Sequence, residues 1–543
     1  MQRHSTPLTW RPLGTSDTLD AGNTFSGAMA TLKDMIPDPT TRGLWQCRPA
    51  AIQMTSFPGF GSPGLVSLLY IVGDLAYGLI ATTAHAGRDE PFCYNLITNT
   101  FIAVTGATGV NTPVSPSATG AWTPPTADLI GSKLVVTHPG FSGGGGVYFG
   151  WFDIINPAAP TWNGGNLTGA IAFTTPPSAV RQFNQRAYFI TNVVAQPAVV
   201  FSDVLNAINV TSGTQVLTFG DTVPLTALGA LPLQNQLGGI IQGLMVFKGV
   251  KNIYQITGDA ATSNLTVNSL NTATGTLAPL SVCQTPKGVA FMAPDGIRLI
   301  DQYAHVSDPI GIDGQGNTVP FIYSNVPSRV CAACNGTVLR VSTQNANVSG
   351  TPWQEWWYDI ARERWHGPHS FPAAAIAAWN NTFVEAPQGV SGKLFRSDPV
   401  QSVTSTFVEN GTQLTWQVGT PNLPDTDQMT TNFMSETTWD IALDPSTPAI
   451  TVTAQHAQGD IVGTATIAPL GGSTIWGAFT WGSALWQGAN NALAPRVLEW
   501  SDGIVFNRLA ITAQGQSAQN VKVGTLRMRY QILRQLQNVM SVS

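Results

Sequence analysis

Two pairs of metal-capable side chains stand out first. Cys331-Ala332-Ala333-Cys334 has the two-residue gap of half a zinc site, and His366-Gly367-Pro368-His369 offers two imidazoles 32 residues further on. The histidine spacing is too tight for a zinc finger, and Val330 sets the cysteines in an apolar run, so buried thiols are the expectation and no metal is expected. The segment Asp308-Pro309-Ile310-Gly311-Ile312-Asp313-Gly314-Gln315-Gly316-Asn317 gathers carboxylates and glycines without the ordered ligand series of a calcium loop, so turn chemistry explains it. The run Gly143-Gly144-Gly145-Gly146 leads into Val147-Tyr148 with no Lys-Ser/Thr and no helix start, which excludes a phosphate-binding loop and suits a hairpin tip.

A glycosidase needs two convergent carboxylates. Asp153, Asp203, Asp301 and Asp359 each close a strand-like run beside a turn, where Asp commonly bonds its own backbone, and the sequence pairs no two of them. No Gly-x-Ser-x-Gly elbow stands between a strand and a helix, and there is no His-Glu-x-x-His. No catalytic residue and no cofactor is therefore expected. Trp356-Trp357 and Trp365, with Trp416, Trp439, Trp476, Trp481, Trp486 and Trp500, admit two readings: stacking on sugar rings, or packing in cores and interfaces. The scarcity of charge favours assembly, because buried interfaces are depleted of Lys and Glu.

The elements that must position these residues are strands. The chain has 543 residues, of which only 10% are charged, with 25 Lys+Arg against 30 Asp+Glu and a net charge of −5. Its 54 Gly and 37 Pro make turns plentiful and long helices scarce. No basic stretch could grip nucleic acid through its phosphates. The N-terminus lacks the apolar core of a secretory signal, so no export is expected. The longest apolar stretch, Leu65 to Ala81, is broken by Gly73-Asp74 and Gly78, so no membrane-spanning segment is expected. Five scattered cysteines make no disulfide scaffold. A 3.6-residue apolar period is suggested only in the last segment, Leu526 to Met540.

A turn, an apolar strand, a loop and an aromatic-rich strand often ending in Asp recur along the chain. With Asp74, Lys133, Arg186, Leu244, Gly288, Gly336 and Asn381 taken as equivalent turn positions, the intervals are 59, 53, 58, 44, 48 and 45, a mean of about 51. That period matches one four-stranded propeller blade, whose faces are buried only by stacking on its neighbours. The expected fold is all-β: a β-propeller of six or seven blades over 59–405, preceded by an extended N-terminal arm over 1–58 that packs on something else. A C-terminal β-sandwich-like domain over 406–543 follows, signalled by alternating runs such as Ile450-Thr451-Val452-Thr453-Ala454.

The arm, Thr31-Leu32-Lys33-Asp34-Met35-Ile36-Pro37-Asp38 to Trp45-Gln46-Cys47-Arg48-Pro49, resembles the N-terminal segment of the tail nozzle (hub, or tail-tube B) proteins of short-tailed bacteriophages, which runs into an Arg-Pro step before the first blade. Val180-Arg181-Gln182-Phe183-Asn184-Gln185-Arg186-Ala187-Tyr188-Phe189 with Phe201-Ser202-Asp203 is similar to a blade of that family. So are the runs Leu244 to Asp259 and Gly288 to Arg298. The resemblance covers about residues 30 to 400 and rests on blade consensus, with no catalytic residues to carry over. It implies a non-enzymatic virion protein, six copies of which form a ring below the portal and tail adaptor, carry tail fibres or spikes, and let genomic DNA pass during ejection. Assembly would take place in the host bacterial cytoplasm. An acidic balance would keep such a lumen from holding DNA phosphates. A carbohydrate-binding receptor adhesin and a propeller-type glycan-active enzyme are the alternatives.

Overall fold

The structure, a computed structural model, describes residues 5–10, 14–15, 28–29, 31–41, 43–56, 63–82, 87–115, 124–191, 196–220, 222–234, 240–260, 264–270, 273–311, 326–344, 353–423, 430–444, 447–456, 459–469 and 493–535. It is an all-β chain made of a seven-bladed propeller and a sandwich.

Short apolar strands joined by tight turns build each blade as an antiparallel meander running outward from the axis. Blade 1 comprises Pro63–Val72, Leu75–Thr82, Asp89–Asn95 and Thr100–Ile102. Blade 2 comprises Thr126–Ile130, Lys133–Thr137, Phe149–Asp153 and Thr161–Gly165, and blade 3 Ala179–Phe183, Arg186–Thr191, Ala198–Phe201 and Val216–Thr218. Blade 4 has Leu225–Gln234, Ile240–Lys248, Asn252–Thr257 and Thr266–Ser269, and blade 5 has three described strands, Cys283–Thr285, Gly288–Ala293 and Gly296–Ile300. Blade 6 is Cys331–Cys334, Val338–Gln344, Trp353–Asp359 and Arg364–His369. Blade 7 takes Ala373–Trp379, Thr382–Pro387 and Lys393–Ser397 from the end of the propeller and its outermost strand, Ile52–Ser56, from before blade 1. The innermost strands touch in an unbroken circle, with blade 7 meeting blade 1.

Six of the seven gaps between blades are filled by apolar clusters. Leu68, Tyr77 and Leu134 lie between blades 1 and 2, Phe149, Phe189 and Val180 between 2 and 3, and Tyr188, Leu228 and Leu244 between 3 and 4. Met245, Phe247 and Phe291 fill the gap between 4 and 5, Met292, Val341 and Trp356 that between 5 and 6, and Val66, Ile80, Val384 and Leu394 that between 7 and 1. A fully buried aliphatic or aromatic side chain contributes about 1.5–3 kcal/mol, so these clusters hold the wheel together. Packing leaves no room for a side chain at Gly78, where a Cβ would stand 2.3 Å from the Leu68 carbonyl oxygen and 2.5 Å from the Phe92 ring.

The sandwich is assembled from both ends of the chain. One sheet runs in the order Ala494–Phe506, Thr430–Ala442, Lys522–Gln535, Trp45–Cys47, Met35–Pro37, with Ser5–Trp10 also on Lys522–Gln535. The facing sheet runs Thr31–Lys33, Thr415–Gly419, Leu509–Gln516, Ile450–His456, Ile461–Ile467. Trp416, Val452 and Ile511 of one sheet meet Met434, Trp439 and Leu526 of the other in a common core. The segment read as an arm is thus divided: strands between 31 and 47 belong to the sandwich and Ile52–Ser56 to blade 7, so the propeller is inserted within the sandwich.

Two readings of local structure change. Leu526 onward is strand as far as Gln535, because Leu526, Met528 and Tyr530 are buried while Arg527 and Arg529 are exposed, which is a period of two. Residues 536–540 lie outside the described residues. Leu244 is mid-strand: the first two strands of blade 4, Leu225–Gln234 and Ile240–Lys248, are long, and Leu244 stands opposite Ala230 in their ladder.

Trp439 is fully buried and its indole N–H donates to the Gly524 carbonyl at 3.1 Å. Trp439→Ala should cost about 3–5 kcal/mol, read as a lowered urea midpoint of the sandwich.

Candidate functional site

The seventh gap, between blades 6 and 7, holds charge. Alternation in the strands sends Leu339, Val341, Trp356 and Tyr358 of blade 6 toward blade 5, and Arg340, Ser342, Glu355 and Trp357 to the other side. Arg340 donates through Nε to Glu355 and through Nη2 to Glu385 of blade 7. Its guanidinium lies 4.7 Å from the Trp357 ring and 4.8 Å from that of Phe383. The Trp357 indole N–H donates to Glu355 Oε1 at 2.5 Å.

The network continues into the segment that carries the closing strand. His369 stands opposite Glu355 in the blade 6 ladder, and its Nε2 lies 3.2 Å from His366 Nδ1, one ring N–H donating to the other ring. On its other side His369 faces Asp34, Nδ1 to Oδ1 3.8 Å. Asp34 Oδ1 accepts from Arg48 Nε at 2.8 Å and from the Ser370 backbone N–H at 3.0 Å. Arg48 grips Glu409 with both terminal nitrogens, at 2.8 and 2.7 Å, and Glu409 Oε1 also accepts the Ala51 N–H at 2.7 Å. Glu409 therefore holds the chain one residue before the closing strand begins. Two guanidinium groups face four carboxyl groups here, and every one of these charged side chains is at most 3% exposed.

Their protonation follows from their partners. For Asp34, burial disfavours the charged form, but the Arg48 charge, His369 and the Ser370 N–H outweigh it and hold the carboxyl well below its usual range. Glu385 is the opposite case: burial dominates, one donor from Arg340 only partly offsets it, and Glu355 and Glu409 add repulsion, so its pKa is pushed up to about 8. Its Oε1 meets no protein donor. Burial, and then its neighbour His369, holds His366 well below the usual imidazole value; burial also lowers His369. Beside the network a cleft of about 340 Å³ opens between Trp45 and Arg362, whose Nη2 donates to the Asp38 carbonyl at 3.0 Å.

The half-motifs for zinc do not converge. Cys331, Ser342, Glu355 and His369 form one row across blade 6, so Cys331 and His369 stand three strand spacings apart, about 14 Å. Cys331 is a buried thiol whose Sγ lies 3.4 Å from the Ala373 carbonyl, and among the described residues no group of three metal-capable side chains occurs. Asp153, Asp301 and Asp359 each hold their own turn, bonding the Ile155, Tyr303 and Ala361 backbone N–H groups, whereas Asp203 reaches across its loop to accept from the Thr211 N–H and from Asn209 and Gln215. Of the candidate calcium loop, residues 312–317 lie outside the described residues. Trp356, Trp357, Trp365, Trp416, Trp439 and Trp500 are buried, which removes them as sugar-stacking platforms. Trp476, Trp481 and Trp486 lie outside the described residues. Among the described residues no helix is long and apolar enough to cross a membrane.

Near the inner strands of blades 1 to 4, Leu68, Leu69, Val180, Leu228 and Leu280 line a cavity of about 130 Å³. The seven innermost strands carry a single carboxylate, Asp128, which accepts from Tyr70 Oη and the Gln182 N–H, each at 2.7 Å, and faces Arg181 at 3.4 Å.

No protein-family model and no curated protein matches the chain. Solved structures similar to it include a Mycobacterium tuberculosis puromycin-hydrolyzing peptidase, at 9% identity and TM-score 0.37, covering 69% of this chain and 61% of that one. The β-propeller domain of the Trilobed protease from Pyrococcus furiosus matches at 8% identity and TM-score 0.32, covering 62% and 97%. A glycoside hydrolase family 43 arabinoxylan arabinofuranohydrolase from Bacillus subtilis matches at 10% identity and TM-score 0.23, covering 89% and 99%. The expectation of a non-enzyme is corrected by this finding: hydrolases are among the similar structures, so the absence of catalysis is not carried forward. Identities this low assign no reaction to the chain.

The sequence reading passed over Arg48, Arg340, Glu355, Glu385 and Glu409 as chemistry. The available signal was charge at alternate strand positions in a chain so poor in charge. Removing one partner of a buried pair leaves the other uncompensated, so Arg340→Met should cost about 3–5 kcal/mol in urea unfolding at pH 7. Because the Asp34 pKa is lowered on folding, its stabilisation is present above its ordinary value of 3.8 and lost as pH falls below it. Asp34→Asn should therefore lower the urea midpoint at pH 7 and flatten its decline between pH 5 and pH 3.

Proposed function

We propose that the chain is a structural protein of a short-tailed bacteriophage tail, assembling as a ring, six copies in the family it resembles, below the portal and adaptor. In this reading the ring carries fibres or spikes and conducts genomic DNA. The observation that carries the proposal is a line of exposed aliphatic side chains on consecutive blades. Ile97, Ile155 and Leu205 stand on the outer turns of blades 1, 2 and 3, all on the same face of the wheel, Ile155 being 75% exposed. Leu205 sits at φ 55°, a left-handed conformation that costs a bulky residue energy where Asn or Gly would fit freely. Exposed apolar side chains held on strained turns suit contact with another protein surface.

In a ring of copies the DNA passage is the opening between subunits around the symmetry axis. The net charge of −5 and the low content of Lys and Arg suit a passage that does not hold phosphates.

The test is native mass spectrometry with negative-stain imaging of the purified chain, alone and with a tail adaptor. A six-fold ring with a central hole is expected. A monomer that stays monomeric at micromolar concentration in the presence of the adaptor overturns the proposal. Ile155→Asp combined with Leu205→Asp should weaken assembly at least tenfold, equivalent to about 1.4 kcal/mol, while leaving the unfolding midpoint unchanged.

A further inference from the structure

We infer that the gap between blades 6 and 7 is a proton-operated clasp: uptake of one proton at Glu385 keeps the closing strand Ile52–Ser56 seated, and its loss releases that strand together with the sandwich strands on the same segment.

The geometry of the gap carries this. Glu385 opposes Phe395, and Phe395 opposes Gln53 of the closing strand, so the three lie in one row across blade 7. The groups that face Glu385 come from every element around it. Blade 6 supplies Arg340, Glu355 and the Cys331 thiol; the segment before the closing strand supplies Arg48; the chain beyond blade 7 supplies Glu409. Each guanidinium bridges two carboxyl groups, Arg48 those of Asp34 and Glu409 and Arg340 those of Glu355 and Glu385, and Arg340 Nη1 is buried without a hydrogen-bond partner.

With Glu385 protonated, the two guanidinium groups face three carboxylates. Ionising Glu385 adds a fourth negative charge to a space where neither histidine is protonated to answer it. Glu409 tolerates ionisation because three donors reach it, two from Arg48 and one from the Ala51 N–H. Glu385 has one. The added repulsion is relieved by parting the carboxyl groups, and Glu409 is tied through Arg48 and Ala51 to the chain entering the closing strand. That same segment supplies Thr31–Lys33, Met35–Pro37 and Trp45–Cys47 to the sandwich. Buried ionisable pairs also link blades 1 and 2, His138 with Asp89 at 3.0 Å and Tyr70 with Asp128 at 2.7 Å, but these lie away from the closing strand.

The sign follows from the direction of the shift. Glu385 binds its proton more tightly folded than unfolded, so its contribution is complete below its ordinary value near 4.5 and is lost as pH rises through about 8. Opening should then increase about tenfold per pH unit between about 4.5 and 8 and level off above 8.

The experiment is hydrogen exchange by mass spectrometry on the full chain from pH 5 to 10, corrected for intrinsic exchange rates. Peptides covering 45–56 and 393–397 should lose protection with that slope between pH 5 and 8 and level off above, while peptides within 186–191 and 244–256 of blades 3 and 4 stay level. Glu385→Gln, neutral at every pH, should remove the slope at 45–56. The inference is overturned by protection at 45–56 that does not change between pH 5 and 8, by an equal loss in all blades, or by a Glu385→Gln protein with the wild-type slope. Should that variant not fold, the wild-type titration decides alone, through the first two outcomes.

Discussion

The gap between blades 6 and 7 is the constraint on which the rest of the structure depends. A propeller is stable only when its last blade meets its first, and here the last blade is completed by a strand from before the first. The residues that bring that strand home are Arg48, Glu409 and Asp34, buried ion-pair partners rather than aliphatic side chains. Burying charge is costly, and such a pair gains little over well-packed apolar groups, but a half-made pair is strongly unfavourable. The arrangement therefore selects the fully closed ring over any partly closed one. Apolar packing in the other six gaps supplies the bulk of the stability, and the charged gap supplies the register.

The same contacts join the two units. Asp34 lies between two strands of the sandwich and takes up His369 and the Ser370 N–H at the end of blade 6. Lys522 of the sandwich reaches Asp38 at 2.6 Å, and Asp38 in turn offers its carbonyl to Arg362 of blade 6. Sandwich and propeller are thus fastened by one stretch of chain. Its partners lie more than 300 residues further on, so the strand that closes the wheel can be seated only after the last blade exists. Contacts of such long sequence separation are slow to form, which places closure late in folding.

The hub and the exposed turn tips differ in chemistry. The single carboxylate of the innermost strands is spent on Tyr70, Gln182 and Arg181. On one face of the wheel Ile97, Ile155 and Leu205 stand exposed in line.

Composition and local pattern alone settle that this chain is all-β, since strand alternation and turn chemistry act over a few residues. The period of about 51 residues brings the wheel into view for the same reason: each blade repeats a local solution to the same burial problem. Asp153, Asp301 and Asp359 as turn-holders, and Cys331 as a buried thiol, were legible on these terms, whereas the wider loop that Asp203 ties together was not. The length of the first two strands of blade 4 was not, nor was the strand from Leu526 to Gln535, whose apolar residues also suit a helix until neighbouring strands impose a period of two. Only the tertiary structure decided that the segment read as an arm supplies four sandwich strands and a closing strand, and that Arg48 meets Glu409 361 residues away. Sequence pattern carries the preference of each residue for a face. It does not carry which distant face will be opposite, because that choice is made by the closing of the whole ring.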